Sequence, residues 1–177
     1  MNEPRDFGVR NAMSPPARTF PTFDTETAQT IIADHADEPG GLLEALHALR
    51  AHFGHIDKAA IAPLAEAFNL SRAEVYGVVS FYHDFRDAPP GRHLVRICQA
   101  EACQAMGARA LTAHAKQMLG LEFGETNALE HVTLEPVYCL GNCAAAPAVM
   151  IDETVHGRVD AGRFDALIAA CRRGGRS

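Results

Sequence analysis

Four of the five cysteines stand in two close pairs. Cys98 and Cys103 make a C-x4-C pair after the run Val95-Arg96-Ile97, and Cys139 and Cys143 make a C-x3-C pair after Val137-Tyr138. Each pair follows a β-branched apolar stretch, so each belongs at a strand–loop junction. Four soft thiolates from two such loops suit an iron–sulfur cluster or a structural zinc ion. Gly141 and the run Ala144-Ala145-Ala146 remove side-chain bulk, letting backbone N–H groups approach sulfur, a principal lever on cluster potential. Cys103 is expected at a helix N-terminus, where the macrodipole favours thiolate by about 0.3–1 kcal/mol. Packing alone can bury thiols, but two pairs at ligand spacing rarely arise that way. Zinc ribbons use tighter C-x-x-C knuckles in very small domains, which favours iron–sulfur while leaving zinc open. The absence of C-x-x-C speaks against a thioredoxin-type redox site or a disulfide.

The remaining residues offer little other chemistry. Cys171 is spaced with Leu167 and Ile168 and reads as core. The nine histidines form no His-Glu-x-x-His pair. No glycine-rich phosphate loop, nucleophile elbow or convergent carboxylate pair is present, which points to an electron carrier and not a self-sufficient enzyme. The stretch from Leu64 to Tyr76 mimics a helix-turn-helix, yet its second helix carries Arg72 alone among basic residues, beside Glu74, Ser80 and Asp84. Two core helices at a tight turn fit better than a DNA reader.

The elements that must position the thiols fall into three stretches. Residues 1–22, with four prolines, read as an irregular arm. Residues 23–88 read as a helical bundle. Its helices are predicted over Thr25–Asp37, around the stripe Leu42, Leu46, Leu49, Phe53 closed by Gly54, and over Lys58–Phe68. A last one follows the capping box Ser71-Arg72-Ala73-Glu74, worth about 1 kcal/mol. It carries Val75, Val78, Val79, Tyr82 and Phe85 inward and ends at Ala88-Pro89-Pro90-Gly91. Residues 89–177 change texture. Strands are expected at His93–Cys98, Val132–Tyr138, Ala148–Asp152 and Thr154–Val159, the last two as a hairpin. Helices are expected at Cys103–Leu119, with Met106, Ala110, Ala113 and Met118 inward, and at Gly162–Arg173, with Phe164, Leu167, Ile168 and Cys171 inward. The order β-α-β-β-β-α predicts an α/β (α+β) chain whose second half approaches a thioredoxin-like layout.

Bulk properties narrow the class. A chain of 177 residues, 47% hydrophobic and 21% charged, can bury a core without disulfides. Its net charge of −6 argues against nucleic acid and anionic membranes as partners. No apolar run is long enough to span a bilayer, and the start of the chain lacks the pattern of a secretory signal, so a cytoplasmic protein is expected.

These residues resemble one family, the small [2Fe-2S] subunit of complex I (NADH:ubiquinone oxidoreductase) with its counterparts in NAD-linked hydrogenases and formate dehydrogenases. The similarity covers roughly residues 25–172. It is carried by Leu70-Ser71-Arg72-Ala73-Glu74-Val75-Tyr76-Gly77-Val78-Val79-Ser80-Phe81-Tyr82, by Pro90-Gly91-Arg92-His93, by Cys98 and Cys103 followed by Gly107-Ala108, and by Cys139-Leu140-Gly141-Asn142-Cys143 followed by Ala146-Pro147. The resemblance implies a helical bundle followed by a thioredoxin-like [2Fe-2S] ferredoxin domain. It implies one thiolate from each of Cys98, Cys103, Cys139 and Cys143 to a single [2Fe-2S] cluster. It further implies a non-catalytic electron-transfer subunit in a hetero-oligomer, beside an FMN/NAD-binding flavoprotein subunit and a larger iron–sulfur/molybdenum catalytic subunit. Thr133-Leu134-Glu135-Pro136-Val137-Tyr138 and His156-Gly157-Arg158-Val159-Asp160 look most like the gamma subunit of NAD-dependent molybdenum formate dehydrogenase. The aspartate-glycine turn common before the second ligand strand is replaced by Ala128-Leu129-Glu130-His131. The alternatives are the equivalent subunit of complex I or of an NAD-linked hydrogenase and, from another class, a zinc-binding scaffold subunit.

Overall fold

The computed structural model describes residues 19–127 and 131–174, so most of the expected arm and the turn residues 128–130 lie outside the described residues. The chain divides into two compact units, with Gly91 and Arg92 at the division.

The first unit is helical because its apolar residues recur at helical spacing. Helix α1 (Thr25–Ala33) is capped by Asp24, whose carboxylate accepts from Thr27 N–H and is held below its ordinary pKa first by the Thr27 side chain and then by that N–H. It is shorter than the expected span to Asp37. The residues after it wind through turns in which His35 bonds Glu38 at 3.1 Å. Helix α2 (Gly41–Phe53) buries Leu46, Leu49 and Phe53 and stops where Gly54 adopts φ 78°. The next expected helix starts with a 3-10 turn, Lys58–Ala60, ahead of α3 (Ile61–Ala67). Pro63 falls in the first turn of α3, where its missing N–H is tolerated. Helix α4 (Arg72–Phe81) opens on the capping box: Glu74 N–H donates to Ser71 Oγ, while the Glu74 carboxylate accepts from Ser71 N–H. It ends earlier than the proline pair suggests. Tyr82 turns extended and stays exposed, and a turn then returns Phe85 to the core.

The second unit is a five-stranded sheet in the order β2-β3-β1-β4-β5. Its strands are β1 (His93–Cys98), β2 (Thr126–Asn127), β3 (Val132–Val137), β4 (Val149–Ile151) and β5 (Thr154–His156). β1 and β3 are parallel and every other pairing is antiparallel. The short β2 is not among the expected strands, because two residues carry no periodicity. Its pairing with β3 makes a hairpin even without the aspartate-glycine turn. Val95, Ile97, Leu134, Val149 and Ile151 pack with Leu111, Phe164 and Ile168 of α6 (Ala108–Leu119) and α7 (Ala161–Gly174).

The expected helix from Cys103 to Leu119 is broken. α5 (Glu101–Ala105) ends, Gly107 adopts φ 97°, and α6 starts in a new phase. The inward residues are therefore Ala108, Leu111, Ala115 and Leu119. Ala110 and Ala113 are exposed, Met118 is half-buried, and Met106 is 63% exposed. Among the described residues the architecture is seven α-helices and a mixed five-stranded sheet, in keeping with the thioredoxin-like layout expected. None of these helices is long and apolar enough to cross a membrane.

Candidate metal centre

Because β1 and β3 run parallel with Cys98 opposite Val137, both strands leave the sheet at the same end. Their following loops therefore start side by side. Gln99 N–H donates to Val137 O at 2.7 Å and Cys98 N–H to Ala148 O at 3.1 Å, which ties the first loop to the strand end before Cys139 and to the segment after Cys143. Cys103 is the third residue of α5 and not the helix start that the sequence suggests, although it still lies within the first turn. Cys98 and Cys103 are each 2% exposed, and Cys139 and Cys143 lie at the surface.

The second loop is built on left-handed backbone. Cys139 adopts φ 135° and Gly141 φ 71°. A non-glycine residue held there costs about 1–3 kcal/mol, a strain that clusters at functional sites. The conformation directs Gly141 N–H at Cys139 Sγ, 3.3 Å away, and leaves Cys139 Sγ 3.8 Å from Cys143 Sγ.

The four thiols feel one another. Burial raises the pKa of Cys103 above the ordinary thiol value, Ala148 N–H opposes this, and the hydrogen-bonded Cys98 thiol and the charge of Cys143 add to the rise. Cys143 is raised chiefly by its hydrogen bond with Cys139 and that residue's charge, with burial and Cys98 adding less. Like charges repel, so such a group holds four thiolates only with a cation among them. The donor set is all sulfur, as an iron–sulfur cluster requires, and two backbone N–H groups already point at sulfur. Among the described residues, no three Cys, His, Asp or Glu side chains are grouped to hold one metal ion. A four-thiolate zinc ion and a [2Fe-2S] cluster both take their ligands as two pairs, so the donor set by itself fits either.

Several residues that brace the site are invisible to spacing. Arg158 N–H donates to Ala145 O and Val159 N–H to Pro147 O, which stitches the chain after β5 to the second ligand loop. A Cβ on Gly157 would lie 2.7 Å from Ala145 Cβ and from Asn142 Nδ2. Gln99 and Gln104 grip the first loop. These partners follow no regular period, so no pattern exposes them. Beside the thiols an open cleft of ≈ 620 Å³ is lined by Met106, Ala144, Ala146, Pro147 and Val159, with Arg158 among its walls. Tyr138, next to Cys139, is 75% exposed.

The profile of the thioredoxin-like [2Fe-2S] ferredoxin family matches residues 28–172. The E subunit of the NADH-quinone oxidoreductase of Pseudomonas aeruginosa is 36% identical over 126 residues, covering 71% of this chain and 76% of that protein. The HndA subunit of the NADP-reducing hydrogenase of Solidesulfovibrio fructosivorans is 32% identical over 130 residues, covering 73% of this chain and 76% of its own length. Among solved structures, the NAD+-reducing [NiFe]-hydrogenase in the air-oxidized state superposes with a TM-score of 0.62 at 32% identity. That match covers 75% of this chain but only 23% of the hydrogenase chain.

Proposed function

Because this chain belongs to the thioredoxin-like [2Fe-2S] ferredoxin family, we propose that Cys98, Cys103, Cys139 and Cys143 bind one [2Fe-2S] cluster and that the protein is an electron-transfer subunit of an NAD-linked oxidoreductase complex. The observation that carries this reading is the all-thiol group itself, two pairs delivered by adjacent parallel strands with N–H donors aimed at sulfur. The cluster supplies storage of one electron at a time. What the protein supplies is geometry and dielectric. Gly141 N–H and Ala148 N–H offset the negative charge of the thiolates, and burial of Cys98 and Cys103 keeps water from the inner pair. The exposed pair, flanked by Tyr138 and Met106, is the side an electron partner would approach.

The partner proposed is an FMN- and NAD-binding flavoprotein subunit, within a soluble NAD-dependent formate dehydrogenase that also has a larger iron–sulfur/molybdenum subunit. The segments Thr133–Tyr138 and His156–Asp160 support that parent complex. A second reading, the equivalent subunit of complex I or an NAD-linked hydrogenase, is favoured by the names of the similar proteins. Mass spectrometry of co-purifying subunits separates the two.

For the cluster, anaerobically purified protein is expected to be reddish-brown, with two irons and two sulfides per chain, and to give a rhombic one-electron EPR signal after dithionite. Cys139→Ser is expected to alter or abolish that signal while the protein still assembles with its partners. Colourless protein carrying zinc, or a Cys139→Ser variant that loses assembly alone, would instead indicate a scaffold.

A further inference from the structure

The loop between Cys98 and Cys103 is gripped from outside by a chain of side-chain hydrogen bonds that no part of the proposed electron transfer accounts for. Gln104, the residue after Cys103, donates from Nε2 to the carbonyl of Gln99, the residue after Cys98, at 2.7 Å. Its amide oxygen is held by Arg109, which donates from both Nε and Nη2 at 3.0 and 2.8 Å. With the oxygen engaged by a cation, the Gln104 amide has one orientation, its NH2 turned to the loop. The Gln99 side chain completes the set, donating to Thr112 Oγ1 of α6 at 2.9 Å and to Ile97 O at 3.3 Å.

We propose that Gln104, oriented by Arg109, is a positioning residue that sets the electronic environment of the Cys98–Cys103 loop. This rests on the cluster reading above. A trans peptide places its C=O and the following N–H on opposite sides. Holding the Gln99 carbonyl out towards Gln104 therefore turns Ala100 N–H to the opposite face of that peptide, within the segment that links the two buried thiols in sequence. N–H dipoles near cluster sulfur favour the reduced, more negative state, and carbonyl dipoles oppose it. Releasing the carbonyl lets the peptide turn, so the potential falls. Arg109 acts through the fork it makes on one oxygen, a geometry that a lysine cannot reproduce.

The test is an EPR-monitored redox titration of the full-length, anaerobically purified protein as wild type and as Gln104→Ala, Arg109→Gln, Arg109→Lys and the Gln104→Ala/Arg109→Gln double variant. Arg109 is exposed, so its variants are expected to fold, which far-UV circular dichroism checks. All three single variants are expected to shift the midpoint to more negative values, and the double variant to match Gln104→Ala. Unchanged midpoints, additive shifts in the double variant, or an Arg109→Lys midpoint equal to wild type beside a shifted Arg109→Gln would overturn the proposal. A wild-type protein without the rhombic signal removes the cluster reading itself, a result distinct from these.

Discussion

Burial in the core with Phe164 and Ile168, followed by the nearby Asp152 carboxylate, pushes the Cys171 thiol up to about 11 from 9.0. A rise of that size leaves roughly a hundredfold less thiolate than at an ordinary cysteine. Cys171 is therefore expected to resist iodoacetamide at pH 8 in the folded protein and to react once the chain is unfolded, as peptide mapping would show. Prompt labelling in the native state would contradict this. The sign for stability follows from the raised value: the contribution is complete below about pH 9 and is lost as pH rises through about 11. Cys171→Val should flatten that part of the stability profile. Sequence spacing with Leu167 and Ile168 already marks this residue as core. The effect of Asp152 is not legible there, since it comes from the turn between β4 and β5.

At the scale of elements, the connection from β5 to α7 shows how a segment without ligands shapes a ligand loop. Gly157 sits where any Cβ would enter the space of Ala145 and Asn142, and the next two N–H groups bond Ala145 and Pro147. Gly157→Ala is expected to displace the loop that carries Cys143, broadening the EPR signal and shortening the lifetime of the cluster in air. A variant with unaltered line shape and lifetime would show that the loop absorbs the methyl elsewhere. Strand and helix positions followed from periodicity, as with β1, which leads to Cys98, and the stripe of α2 in the helical unit. The phase of α6 did not, because a glycine break at Gly107 rotates everything after it by an amount that spacing does not encode.

At the scale of the molecule, each unit has its own main core, one around Leu46, Leu49 and Phe53, the other around Val95, Leu134 and Phe164, with a smaller cluster at Cys98, Cys103 and Ala148. Leu49→Ala should cost about 2–5 kcal/mol in the helical unit. Its far-UV circular dichroism melt should shift while the visible absorbance of the cluster keeps its own transition. Phe164→Ala should move the visible transition, at a cost of about 3–5 kcal/mol. Loss of visible absorbance together with helix melting in Leu49→Ala would show one cooperative unit instead. Residue type and local spacing were enough to locate the helices of the first unit, though not their ends, and the strand that leads to Cys98, because these depend on neighbours within a few residues. Which thiols are buried, which backbone N–H groups reach sulfur, and which glutamine and glycine hold the loops were decided by tertiary structure alone. Parallel pairing of β1 with β3 brings together residues 39 apart, a distance no local pattern spans, and the nearer glutamine and glycine contacts follow no regular period.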